Sequence, residues 1–111
     1  MEKLELNSEQ LQKAAELLKA VAHPLRLKII KLINERGEVN VNVIYNTLKI
    51  EQSITSQHLK MLRGVEAVDT RREGKKIFYT LNTERFKILN RAVAVIDEYK
   101  SKTPAKRRAA K

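Results

Sequence analysis

Apolar side chains return every three or four positions along most of this chain, and once the period drops to two. Over residues 8–22, Leu11, Ala14, Ala15, Leu18 and Val21 make a single stripe, the mark of a helix that buries one side. Asn7 or Ser8 is placed to cap it, and Gln10 stands three after Asn7 in capping-box position. The segment HPLRLKIIKLINERG predicts a second helix, with Pro24 in its first turn, Leu25, Ile29, Leu32 and Ile33 on its stripe, and Gly37 as its stop. EVNV reads as short and extended. A third helix over residues 42–49 carries Val43, Ile44 and Leu48, and a tight connection leads to a fourth over residues 53–63.

The pattern changes in AVDTRREGKKIFYTL. Ile77, Tyr79 and Leu81 alternate onto one side, β-branched and aromatic residues flank a Glu73-Gly74 turn, and the whole predicts a β-hairpin. Thr83 then caps a last helix over residues 84–100, striped by Phe86, Leu89, Val93 and Ile96. The closing SKTPAKRRAAK has no period and reads as a disordered basic tail over residues 101–111. Residues 1–100 read as one domain of mainly α class with a small β-hairpin, and no internal repeat interrupts them.

The fourth helix raises the functional question. In EQSITSQHLKMLR, Thr55, Leu59 and Leu62 share one face. Ser53, Ser56, Gln57 and Lys60 fall at i, i+3, i+4 and i+7 on the opposite one, with Gln52 and His58 at its margins. A solvated face is usually built from Glu and Lys, whereas two serines and a glutamine cost helix propensity. Two short helices, a tight turn and then a hairpin describe a winged helix-turn-helix. The major groove of DNA admits one helix, and Ser, Gln and Lys can pair with the base edges displayed there.

Charge agrees with a polyanionic partner. Residues 1–70 carry 10 basic and 9 acidic side chains, while residues 71–111 carry 13 and 4. Each Lys or Arg set against a phosphate releases condensed counterions. Arg71, Arg72, Lys75 and Lys76 cluster at the hairpin tip, where they can straddle a phosphate strand or enter a minor groove. A charged tip also protects an exposed hairpin from edge pairing. Three readings therefore compete: a sequence-specific regulator of double-stranded DNA, a sequence-tolerant architectural DNA binder, and a module whose helices bind another regulator. The first two are separated by whether tight binding to one site survives excess competitor DNA.

Absences narrow the field. There is no cysteine, hence no disulfide, thiolate ligand or thiol redox chemistry. No Ser-His-acid arrangement, glycine-rich phosphate loop or metal-ligating cluster is seen, so neither an enzyme nor a cofactor is expected. No apolar run approaches the ~18–20 residues of a membrane span, and MEKLELNSEQ lacks a signal peptide's apolar stretch; a cytoplasmic protein is expected. His23, without a ligating partner, is assigned a structural role at a helix start. His58 is read as a phosphate donor, with packing beside Leu62 as the alternative. Tyr45 and Tyr99 are read as packing residues with polar tips, and Arg26 and Arg36 as solvated.

LKAVAHPLRLKIIKLI, QSITSQHLKMLR and DTRREGKKIFYTL together resemble the signature segments of ArsR/SmtB-type winged helix-turn-helix repressors, in order and spacing, over roughly residues 11–98. The resemblance implies a homodimer paired through its first and last helices, here through Leu11, Leu18, Val93 and Ile96. It also implies a palindromic operator that is released when an effector arrives; no residue names that effector. On the matching positions, Gln52, Ser53, Ser56, Gln57 and His58 face DNA, and Arg71, Arg72 and Lys75 lie in the wing. The departures are specific. Where metal-sensing members carry thiols this chain has Asn40 and Asn42, and neutral amides are poor ligands for soft metals. The last helix offers Asp97 and Glu98 but no histidine. The persulfide-sensing switch of some non-metal members needs two cysteines and is excluded. Glu66 replaces the glycine that the family places before the first wing strand, with Gly64 two residues earlier, and a rearranged helix end is expected there.

Overall fold

The computed structural model describes residues 7–101, with side chains as far as Ala94. The elements run α1 (Ser8–Val21), α2 (Pro24–Arg36), β1 (Val39–Asn40), α3 (Val41–Leu48), α4 (Gln52–Gly64), β2 (Val68–Glu73), β3 (Lys76–Leu81) and α5 (Thr83–Ser101). Local chemistry sets the ends. Asn7 accepts from the Gln10 N–H and the Gln10 side chain accepts from the Asn7 N–H, a complete capping box that starts α1. His23 caps α2 and Gly37, at φ +85°, ends it in a conformation that favours glycine. Asn40 caps α3 through the Val43 N–H. The last helix departs from expectation: Asn82, not Thr83, accepts from the Arg85 N–H, and Thr83 is the first helical residue.

EVNV does more than extend. β1 pairs antiparallel with β3, Val39 opposite Tyr79 and Asn40 opposite Phe78, so the hairpin becomes a three-stranded sheet ordered β1-β3-β2. Residues Glu73 and Lys76 face each other across a two-residue turn, and Gly74 supplies its positive φ of +63°.

Leu17, Ile29, Ile33, Ile44, Leu59 and Leu62 are fully buried and meet at the centre, each contributing roughly 1.5–3 kcal/mol by leaving water. Thr55 is buried too, and its hydroxyl donates back to the Glu51 carbonyl at 2.9 Å, so no polar group is stranded. The first stripe divides in two. Ala14 and Val21 turn inward with Leu17, whereas Leu11, Ala15 and Leu18 remain exposed. α1 packs along α5. The basic tail, apart from Ser101 at the end of α5, lies outside the described residues, as do the side chains of Ile96, Asp97, Glu98 and Tyr99.

Glu66 takes a backbone conformation that favours glycine. Its φ is +60°, the left-handed region that costs a residue with a Cβ about 1–2 kcal/mol. Its carboxylate accepts from Arg85 on α5, which ties the end of the helix-turn-helix to the last helix. α4 still runs to Gly64 and the strand still begins at Val68, so the expected rearrangement is confined to one strained residue.

Candidate nucleic-acid interface

α3 and α4 are joined by Lys49, Ile50 and Glu51, with Lys49 left-handed at φ +57° to make the turn. α4 then presents two different faces. Thr55, Leu59 and Leu62 are locked in the core, and Gln52, Ser53, Ser56, Gln57 and Lys60 are exposed. The exposed set is held in place by the buried set, since rotating the helix would pull three fully packed side chains out of the core.

The hairpin lies beside this helix. One groove of about 280 Å³ is lined by Asn40, Asn42 and Ser56 together with Lys75, Lys76 and Tyr79, so the α4 face and the wing share a surface. A second groove brings Ser56, Lys60, Arg63 and Tyr79 together. Arg63 was not singled out from sequence, although it stands seven residues after Ser56 and three after Lys60, the spacing that shares their face.

The wing cations are not equivalent. Arg71 donates Nε and Nη2 to the two Glu38 oxygens at 3.0 and 2.8 Å and Nη1 to Glu73 at 3.2 Å, and its guanidinium sits 4.7 Å over the Phe78 ring. The hydrogen bond from Arg71 holds the Glu38 carboxyl below its usual range, and the same pairing raises the Arg71 pKa further. Arg72, Lys75 and Lys76 are exposed and make no ion pair among the described residues. Three charges are thus free at the tip and a fourth is engaged.

His58 has partners that the sequence does not reveal. It is half-buried, its Nδ1 accepts from Arg26 Nε at 3.2 Å, and its ring lies 4.7 Å from that of His23. Arg26 is correspondingly not a solvated residue; its Nη1 donates to the Ala20 carbonyl at 2.8 Å. His23 does have the structural role expected of it, accepting from the Leu25 N–H at 3.1 Å.

Leu11, Ala15, Leu18, Leu89, Ala92 and Val93 line an apolar groove between α1 and α5. Leu11, Leu18 and Val93 are each nearly half exposed, an unusual state for three large apolar residues on one small surface. No group of three or more metal-ligating side chains occurs among the described residues, and no helix among them is long and apolar enough to cross a membrane.

Comparison with known proteins accords with this layout. Residues 23–70 match the bacterial regulatory protein family arsR. The chain is 40% identical over 84 residues to the transcriptional repressor PagR of Bacillus anthracis, spanning 72% of this chain and 84% of that protein. Against the transcriptional activator HlyU of Vibrio cholerae it is 37% identical over 89 residues, spanning 80% and 79%. The crystal structure of PagR superimposes with a TM-score of 0.66 at 38% identity, covering 74% of this chain and 95% of that one.

Proposed function

The chain belongs to the arsR family of bacterial regulatory proteins, a DNA-binding winged helix-turn-helix family of transcriptional regulators rather than enzymes, and from that premise we propose that it is a sequence-specific repressor acting as a homodimer on a palindromic operator. The observation that carries the proposal is the outward set Ser53, Ser56 and Gln57 on a helix whose inward set cannot turn. Gln57 and Ser56 read base edges in the major groove, with Gln52 and Ser53 at the entering end of the helix. Lys60 and Arg63 meet phosphate on the side nearest the wing, and Arg72, Lys75 and Lys76 hold the flanking backbone. Arg71 braces the wing through Glu38. His58, with Nδ1 occupied, anchors α4 rather than touching DNA.

The α1/α5 surface supports the dimer. The groove of Leu11, Leu18 and Val93 is apolar without being covered, and a second copy related by a two-fold axis buries the same patch on both partners. Sedimentation at micromolar concentration is expected to give twice the 12.8 kDa chain mass. A regulator of this kind acts where the chromosome is, in the cytoplasm. The repressor reading takes its sign from PagR, whereas HlyU is described as an activator; a promoter fused to a reporter decides the sign directly.

The decisive test is selection of duplexes from a random pool, followed by competition. A regulator recovers one palindrome and keeps it against a large excess of unrelated DNA. Loss of that binding to competitor at equal weight makes the architectural reading the correct one.

A further inference from the structure

The chain has two histidines, and they meet. His23 stands at the start of α2 and His58 in the middle of α4, with ring centroids 4.7 Å apart and planes tilted by 52°. In both rings Nδ1 accepts a hydrogen bond, from the Leu25 N–H in one and from Arg26 Nε in the other. A ring nitrogen that accepts carries no proton, so this arrangement requires both imidazoles to be neutral, with their protons on Nε2. Arg26 makes the junction three-way. While Nε reaches α4 through His58, Nη1 caps the Ala20 carbonyl in the last turn of α1. One guanidinium therefore joins α1 and α2 to the helix assigned to read DNA.

Protonation breaks this junction at two points. An imidazolium has no free Nδ1 lone pair, so charging His23 removes the cap of α2 and charging His58 removes its bond to Arg26. The surroundings are mostly cationic and oppose a charge on His58. The first turn of α2 is the positive end of a helix dipole. Arg26 is cationic, Lys19 of α1 lines the cleft beside His23, and Lys60 of α4 lines the cleft beside His58. Against these, Glu16 of α1 is the one acidic side chain lining either cleft among the described residues. Partial burial, then His23, then Arg26 hold the His58 pKa below its ordinary value of 6.5. A lowered folded-state value means that the bonded form is favoured above the ordinary pKa and that this contribution is lost as pH falls through the folded value.

We propose that His23, Arg26 and His58 form a proton-sensitive latch, which fixes α4 in its DNA-reading pose while both rings are neutral and releases it in mild acid. His23 and His58 are positioning residues, and neither touches DNA. The proposal rests on the assignment of α4 as the reading helix.

The test uses the full chain with His23→Asn, His58→Asn and the double variant. An Asn oxygen occupies the Nδ1 position as an acceptor but does not titrate, and Asn is a favoured cap. Two readouts are taken from about pH 5.5 to 7.5 at fixed ionic strength. One is amide-exchange protection at Leu25 in the free protein. The other is fluorescence anisotropy with the duplex recovered from the random pool. The wild-type protein is expected to lose Leu25 protection and roughly tenfold or more in affinity on acidification. His23→Asn keeps its affinity at pH 7.5 and shows a shallower pH profile, and the double variant is close to flat. Parallel profiles in wild type and double variant, or Leu25 protection that does not change in the free protein, overturn the latch. Failure of the DNA-reading assignment looks different: at pH 7.5 the recovered duplex binds no better than a scrambled one, and the exchange data still decide whether the latch exists.

Discussion

Helix α4 and the wing share a groove, yet the protein builds them by opposite means. α4 turns Thr55, Leu59 and Leu62 fully into the core, so its outward residues inherit the rigidity of the whole domain. In β2 only Val68 is buried, and Asp69 to Glu73 are all exposed. The wing is held by its ladder to β3 and by Arg71 gripping Glu38. The outward helix face combines neutral Ser and Gln side chains with Lys60 and Arg63, while the tip is cationic. Base readout needs side chains fixed to within a fraction of an ångström, because a misplaced donor loses its pairing. Phosphate attraction is long-ranged and forgiving, so a loosely anchored tip suffices for it. On the proposed reading, specificity belongs with the buried anchor and affinity with the exposed charge.

The strongest way to break this contrast is to attack the anchor. Leu62→Ala leaves a cavity behind α4 and is expected to cost about 2–5 kcal/mol of folding stability in urea denaturation. Arg72→Ala, at an exposed position in the wing, should stay within about 0.5 kcal/mol of wild type in the same measurement. Equal losses from the two would mean that the wing is as much a part of the core as the helix.

Why the helix was legible in the sequence and the wing only partly so follows from range. The two faces of α4 are written at spacings of three and four, and a helix converts such spacings into geometry without help from the rest of the chain. The hairpin turn was legible for the same local reason, through Gly74. What escaped were contacts closed by the fold. Arg71 finds Glu38, and Arg26 finds His58, across more than thirty residues of chain. No period connects those pairs, so Arg71 read as a free cation and Arg26 as a solvated one. β1 was visible as extended, but its partner strand was not. The split of the α1 stripe into a core side and an exposed side also depends on where α5 lies.

Binding experiments sharpen the contrast further. Gln57→Ala should lower affinity for the recovered duplex by about 1–3 kcal/mol and relax preference at one or two base pairs, with little change on scrambled DNA. Arg72→Ala should act on both DNAs alike and make the dependence of log affinity on log salt shallower by about one unit. A salt titration of both variants on both DNAs separates the two patterns. Should Gln57→Ala weaken both DNAs equally, the helix does not read sequence.

The smallest effect tests whether Arg71 is a brace or a contact held in reserve. In Glu38→Gln the side chain keeps its shape and one acceptor oxygen but loses its charge, so Arg71 remains near its pose with its cation no longer balanced by Glu38. If DNA phosphate lies within reach of that guanidinium, the wing gains close to one effective positive charge. The salt slope then steepens by up to about one unit on recovered and scrambled DNA together, with sequence preference unchanged. If Arg71 serves only to orient the wing, the slope stays where it was, and affinity on both DNAs falls only as far as the weakened pair loosens the hairpin's hold on the loop before β1. Protonation of Glu38 produces the same neutral side chain. Because Arg71 lowers that carboxyl's pKa, its contribution is complete above the ordinary carboxylate value and is lost only as pH falls through the depressed one. The pair therefore stays intact above the ordinary carboxylate range, and a pH effect on DNA binding between about 5.5 and 7.5 cannot be assigned to the wing brace.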